Sequence, residues 1–321
     1  MIVVTGAAGF IGSCMAAKLN SLNYNDLILV DDFTKEYKKV NWETKRYSEL
    51  VPREHFFSWA DQNAQKIDFI IHLGARTDTT EKSEAIFEEL NIDYSRRVWY
   101  LASQKGIPLI YASSAATYGD GKYGYSDDVK KIELLHPLNP YGRSKNDFDK
   151  WVLKQPHTPP CWAGFKFFNV YGPNEYHKAR MASVVFHSFN QINENGKIQL
   201  FRSYRPNFKD GEQLRDFFYV KDLVNVLMWF IDKPRPSSIY NLGTGFARPF
   251  TVLANSVFKT LKLHENIQFI DMPEDIRDTY QYYTQADMKK LKAIGYKKPF
   301  HTLENGVGDY VSKFLLKQKV M

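Results

Sequence analysis

Tyr141 and Lys145 stand four residues apart in Tyr141-Gly-Arg-Ser-Lys145. At the start of a helix that spacing puts a phenol and an ammonium on one face. A unit charge about 4 Å away, at an effective dielectric near 20, is worth about 4 kcal/mol, or about three pKa units. This predicts a Tyr141 moved from about 10 toward about 7, able to act as acid and base. An isolated Tyr-x-x-x-Lys is more often a surface pair, and its setting distinguishes the two cases. Ser113 and Ser114 close the apolar run Leu109 to Ala112, and open α/β sheets bind ligands at the carboxyl edge of such strands. Ser114 is placed there to hydrogen-bond a reacting hydroxyl.

A second constellation precedes it. Gly6, Gly9 and Gly12 lie in Gly6-Ala-Ala-Gly9-Phe10-Ile11-Gly12, after the apolar run Ile2 to Val4 and before the helical stretch Ser13 to Leu19. Glycines between a strand and a helix permit a tight turn and close approach of backbone to a pyrophosphate. Asp31 ends the next apolar run, Leu27 to Val30, nineteen residues past Gly12. An acidic residue at that spacing reads an adenosine ribose. Its carboxylate favours NAD, whereas Lys35, Lys38 and Lys39 offer charge to the extra phosphate of NADP, so the residues alone leave the two open.

These groups need a scaffold. Further strand runs are Phe69 to His72, Leu109 to Ala112 and Ala163 to Phe168, separated by helical stretches such as Glu81 to Gly106 and Ser144 to Leu153. Alternation of that kind predicts an α/β fold with a doubly wound parallel sheet of Rossmann type. Past about Gly172, Pro and Gly punctuate the chain, and a smaller, mostly C-terminal substrate lobe is expected. Residues 1–170 then form the dinucleotide-binding domain, with a return segment near 216–245. That segment reads as a helix from Asp216 to Ile231 and a strand from Ser238 to Leu242. Residues 171–215 and 246–321 form the lobe.

The chain has 321 residues, 44% hydrophobic and 25% charged, which suits a large folded core. Its net charge of +7 is spread along the sequence, which fits a polyphosphate ligand better than a nucleic acid. Apolar runs are too short to span a bilayer. Two cysteines, Cys14 and Cys161, and the lack of a secretory apolar stretch predict a cytoplasmic enzyme. No metal is expected, because His72, His136, His157, His177 and His187 lack ligand spacing. A homo-oligomer is expected, with no nucleic-acid or membrane partner.

Five motifs occur together: Thr5-Gly6-x-x-Gly9-x-x-Gly12, His72-Leu-Gly-Ala75, Ser113-Ser114-Ala-Ala-Thr-Tyr118-Gly119, Asn139-Pro-Tyr141-x-x-x-Lys145 and Phe168-Asn169-Val170-Tyr171-Gly172-Pro173. In this order and spacing the chain resembles the extended short-chain dehydrogenase/reductase family of nucleotide-sugar epimerases and dehydratases, from Met1 to about Gly306. Glu175-x-His177-Lys178-x-x-Met181-Ala-Ser183 and Tyr283-Thr-Gln-Ala-Asp287 are similar to the branch that epimerises an ADP-heptose at carbon 6, a lipopolysaccharide core precursor. The resemblance implies catalytic roles for Ser114, Tyr141, Lys145 and Lys178. It implies cofactor contacts at Gly6, Gly9, Phe10, Ile11, Gly12, Asp31, Asp32, Lys38, Arg53, Leu73, Gly74, Ala75, Arg76, Thr77, Asn91, Lys145 and Val170. It implies substrate contacts at Asn169, Arg180, His187, Phe201, Arg202, Ser203, Tyr204, Arg215 and Tyr280. With Lys38 it favours NADP over NAD, and it makes the partner a nucleotide sugar. Asp32, Arg53 and Arg180 depart from the family's usual residues. A dehydratase needs a further acid/base pair beside the catalytic Ser, where this chain has Ala115 and Ala116. A cofactor-binding sensor without chemistry conflicts with the intact Ser114, Tyr141 and Lys145.

Overall fold

The computed structural model describes residues 1–277 and 280–321. Its first half alternates strand and helix: β1 (Ile2–Thr5), α1 (Phe10–Ser21), β2 (Leu27–Asp31), β3 (Glu49–Pro52), α2 (Phe56–Asn63), β4 (Phe69–His72), α3 (Glu84–Phe87), α4 (Tyr94–Lys105), β5 (Leu109–Ser114), α5 (Pro140–Leu153) and β6 (Trp162–Phe167). The second half contributes β7 (Asn169–Tyr171), α6 (Val184–Asn195), β8 (Ile198–Phe201), β9 (Leu214–Arg215), β10 (Phe217–Tyr219), α7 (Val220–Asp232), β11 (Ser238–Leu242), β12 (Arg248–Pro249), α8 (Phe250–Leu261) and β13 (Ile267–Ile270).

Seven strands form one parallel sheet in the order β11-β6-β5-β4-β1-β2-β3. Parallel strands are joined by crossovers, so helices cover the sheet and the inner strands are apolar throughout, as the buried Ile2–Val4 and Leu27–Val30 illustrate. The chain winds outward from β1 to β3, then returns to place β4 on the other side of β1. That reversal opens a crevice at the carboxyl ends of β1 and β4. A Cβ on Gly6, just after β1, would lie 2.6 Å from the Gly74 nitrogen, just after β4, and Gly6 has φ of +70°. Only glycine lets these two turns meet.

Beyond β6 the chain leaves the sheet and builds short strand pairs, β10 with β7, β12 with β9 and β13 with β8. It then re-enters the sheet as β11, paired with β6 from Ser238–Ala163 to Leu242–Phe167, while α7 packs on α1.

Four details differ from expectation. Strand β3 is half-exposed and carries charge and proline, Glu-Leu-Val-Pro, which hides its period. The helical stretch 81–106 is three pieces, because a widened π turn at Glu88–Asp93 separates α3 from α4. Helix α5 begins at Pro140 rather than Ser144: Asn139 caps it by accepting from the Gly142 N–H at 2.8 Å, and proline is preorganised for the first turn. The helix expected from Asp216 starts only at Val220, because Phe217–Tyr219 pairs with β7 first.

Candidate functional site

The crevice after β1 and β4 is a cleft of about 400 Å³ lined by Gly6, Gly9, Phe10, Ile11, Gly12, Asp31, Asp32, Lys38, Arg53 and Leu73 to Thr77. Helix α1 opens on it with Gly9 at its N-cap, no capping side chain and no acidic residue in its first turn. Free N–H groups and the positive end of a helix dipole form an anion site there. The opposite end is built around the Asp31 carboxylate. Asp31 accepts the Ala8 N–H at 2.9 Å and the Asp32 N–H at 2.7 Å, and Lys38 Nζ lies 3.6 Å from its carboxylate. The cleft thus fits a dinucleotide, with donors for the pyrophosphate and a carboxylate for the ribose.

Asn91 is fully buried behind the residues that line the cleft. Its amide accepts from the Arg76 N–H at 2.8 Å and donates to the Arg76 carbonyl and Ser144 Oγ, both at 3.0 Å. It therefore fixes the Leu73–Thr77 backbone from behind. A second support escaped sequence reasoning. Thr5 Oγ1 is hydrogen-bonded to His72 Nδ1 at 2.7 Å and accepts the Gly74 N–H at 3.2 Å, while His72 Nε2 meets Ser95 Oγ at 2.9 Å. Burial, with the Lys145 charge nearby, drops the His72 pKa to about 3, so the ring is a neutral strut. A histidine ending a buried strand was the available signal.

Next to the cleft lies a larger cavity of about 1020 Å³ that brings together Ser114, Tyr141, Lys145, Val170 and Lys178. Strand β5 delivers Ser114, and one helical turn of α5 separates Tyr141 from Lys145. Lys145 is 4% exposed and donates to the Ala112 carbonyl at 2.9 Å. Burial lowers its pKa to about 8, with Asp149 opposing. The expected acidified Tyr141 is not found. Burial pushes the phenol up, and the Ser114 hydroxyl only partly pulls it back. The expectation credited the lysine charge at full strength, whereas a buried ammonium is itself penalised and turns to a carbonyl.

Lys178 enters from the other half of the chain, on a tight turn at Tyr176–Met181 in which Ala179 has φ of +46°. Its Nζ lies 5.5 Å from the centre of the Phe10 ring. Burial lowers its pKa, with Glu175 opposing. Glu175 is fully buried and accepts the Ser183 N–H and hydroxyl, both at 2.6 Å, and the Gly172 N–H at 3.3 Å. One carboxylate thus ties both ends of the Lys178 segment together.

The same cavity is lined by Asn169, Arg180, His187, Phe201, Arg215 and Tyr280. Arg202, Ser203 and Tyr204 are not among its walls. They sit past the end of β8, where Arg202 is 3.7 Å from Asp271 and Tyr204 donates to Asp271 at 3.1 Å. Arg215 is 6% exposed and does not pair with Asp216. Asp216 instead accepts from Thr244, Gly245 and Ala286, because successive strand residues face opposite sides. Arg215 donates to the Leu214 carbonyl at 3.0 Å and to the Gln281 carbonyl, with its guanidinium 5.1 Å from the centre of the Tyr280 ring. Among the described residues no group of three or more His, Cys, Asp or Glu is arranged to hold a metal, and no helix is long and apolar enough to cross a membrane.

A parallel sheet with a dinucleotide cleft opening into a Ser-Tyr-Lys cavity defines a nicotinamide-dependent enzyme. The model of the NAD dependent epimerase/dehydratase family matches residues 2–243, and the chain belongs to that family. It is 46% identical over 328 residues to an ADP-L-glycero-D-manno-heptose-6-epimerase of Fusobacterium nucleatum, covering 99% of each chain. It is 43% identical to the protein of the same name from Nitratidesulfovibrio vulgaris, covering 98% of each. Among solved structures it is similar to the Helicobacter pylori ADP-L-glycero-D-manno-heptose-6-epimerase, with a TM-score of 0.80 and 26% identity over 97% of this chain and 95% of that one.

Proposed function

We propose that this protein interconverts ADP-D-glycero-D-manno-heptose and ADP-L-glycero-D-manno-heptose by inverting carbon 6. The observation that carries this is the meeting of two proton-transfer groups, Tyr141 and Lys178, from different halves of the chain in one cavity beside the dinucleotide cleft. The inverted carbon is an unactivated carbinol, from which no base can draw a proton. A nicotinamide held in the adjoining cleft would supply the reversible oxidation of that carbon to a ketone. Inversion then requires the ketone to present its other face, which rotation about the C5–C6 bond achieves while Arg215 and Asn169 hold the rest of the substrate.

Each face needs its own proton partner. Burial keeps the Tyr141 phenol protonated, ready to donate to a ketone oxygen. Burial also loosens the Lys178 proton, which suits this side chain to the second proton-transfer role. In the reverse direction the roles exchange. Ser114 orients the reacting oxygen, and Lys145 holds the cofactor ribose.

The cofactor in this reading is NADP. Lys35, Lys38 and Arg53 stand with Asp31 and Asp32 at the ribose end of the cleft, and Asp31 is already engaged by two backbone N–H groups. Three cations against two carboxylates favour an added phosphate. Mass spectrometry of the cofactor released on denaturation checks this, and a mass lacking the third phosphate refutes it.

The test of function is NMR at carbon 6 of each ADP-heptose after incubation with the enzyme and its Tyr141→Phe variant. Equilibration of the two epimers by wild type is expected. Loss of at least a thousandfold is expected in the variant, whose missing hydroxyl leaves the fold intact. Absence of carbon 6 inversion by wild type overturns the substrate assignment. A variant within tenfold of wild type overturns the role of Tyr141.

A further inference from the structure

Directly beneath Lys145 lies a buried ion pair. Lys166 Nζ on β6 and the Asp149 carboxylate on α5 are 2.7 Å apart, both side chains with no exposure. Asp149 also accepts the Ser113 hydroxyl at 2.7 Å and the Tyr111 hydroxyl at 3.0 Å from β5. Lys166 donates in addition to Thr117 Oγ1 at 2.7 Å, in the turn Ala115–Tyr118 that follows Ser114. The pair thus ties β6 to β5, to the turn after Ser114 and to α5, the elements that carry Ser114, Tyr141 and Lys145.

Stability alone does not account for it. Well-packed apolar residues in place of a buried ion pair are often neutral or stabilising, and aromatic rings crowd this one, Phe148 beside Asp149 in α5 and the Tyr118 ring 5.1 Å from Lys166 Nζ. Asp149 is four residues past Lys145, on the same face of α5. The other groups facing Lys145 bring no negative charge. His72 on β4 is neutral, Ala112 on β5 offers a carbonyl, Tyr141 is protonated, and Asn91 and Ser144 are uncharged. The remaining charges at α5 lie on its outer side, Arg143 paired with Glu84, Lys150 with Glu133, and Asp147 exposed.

We propose that Asp149 is a positioning residue for catalysis: locked by Lys166 and Ser113, it joins α5 to β5 in fixed register and presents the buried negative charge that the Lys145 ammonium faces. Lys145 is already weakened by burial to a pKa of about 8, with Asp149 the opposing influence. Removing that charge lets the ammonium lose its proton at lower pH, and the ribose loses its cation. The proposal rests on Lys145 being the residue that holds the cofactor.

Asp149→Asn alone strands the Lys166 charge in the core, so the informative variant is Asp149→Asn with Lys166→Met, which removes both charges. Its melting temperature and the pH profile of kcat/KM are compared with wild type, using the cofactor-loaded enzyme and ADP-heptose. The expected result is a folded protein whose alkaline limb moves down by about one pH unit, with cofactor affinity at pH 8 falling about fivefold as the protonated fraction of Lys145 drops. A purely structural pair changes the melting temperature and leaves the limb in place, and that outcome overturns the proposal. Failure of the double variant to fold overturns it too, since the pair is then core scaffold. Lys145→Met separates this from the reading beneath it. If that variant keeps cofactor affinity and activity, the role of Lys145 falls. If it is inactive while the double variant keeps its alkaline limb, only the role of Asp149 falls.

Discussion

Replacing Arg215 by lysine tests the substrate side of the cavity. The guanidinium is held between Tyr280, 5.1 Å from its ring centre, and Phe250, 5.7 Å away, and donates to the carbonyls of Leu214 and Gln281. No carboxylate is paired with it among the described residues. A buried cation with only neutral partners on a cavity wall has donors to offer a substrate phosphate. A lysine keeps the charge but is a point donor on a flexible stem, and it cannot bridge two carbonyls and a phosphate at once. Losing one or two charged hydrogen bonds to substrate costs about 1.5 to 3 kcal/mol, or about ten- to a hundredfold in KM. Losing a carbonyl tie costs the fold about 1 kcal/mol more, a fall of about 2 to 4 °C in melting temperature. Steady-state kinetics on ADP-heptose with parallel thermal unfolding separates the two. The expected signature is a large rise in KM with little change in kcat. An unaltered KM beside a lowered melting temperature refutes the clamp and leaves Arg215 as a tie between β9 and the Gln281 segment.

Two further outcomes follow from the geometry. In Gly12→Ala the new Cβ lies 2.1 Å from the Gly6 carbonyl oxygen, so the turn must open; loss of bound cofactor by absorbance is expected, and full retention contradicts the tight turn. For Lys145, the folded pKa of about 8 lies below the ordinary 10.5, so between these values the unfolded chain binds the extra proton and stability rises with pH. Urea unfolding of the Lys145→Met variant at pH 7.5 and 10 is expected to show a smaller rise than wild type, and an equal rise in both contradicts a buried, weakened Lys145.

Much of this architecture was legible in the sequence because it rests on local chemistry. Strands buried on both faces read as apolar runs, and in the first turn Gly6 is forced by its approach to Gly74 and Gly12 by its approach to the Gly6 carbonyl. What escaped depends on distant partners. Nothing near Asn91 in sequence announces that its amide faces Arg76 and Ser144 rather than the cleft. Arg202 to Tyr204 follow β8, whose end is fixed by pairing with β13, a strand far along the chain. The direction of the Tyr141 shift was misjudged because helical spacing reports proximity but not burial, and burial is the larger influence here. The Asp149–Lys166 pair joins residues seventeen apart, each ordinary by itself.

The late return of β11 to the sheet has a consequence for the chain as it is made. Strand β6 has its outer edge covered by Ser238–Leu242, and Asn241 of that strand accepts the Tyr118 hydroxyl at 2.6 Å and gives its N–H to Asp127 at 2.8 Å. A ribosome adding about 5 to 20 residues per second needs about 4 to 15 seconds to pass from β6 to β11. Through that interval the nascent sheet has an apolar strand, Trp162–Phe167, with an unpaired row of backbone groups. Strands of other nascent chains are competitors for it. The turn around Tyr118 therefore reaches its final form only when the last strand of the sheet arrives, and the vulnerable period of this protein's birth is set by the length of the detour between β6 and β11.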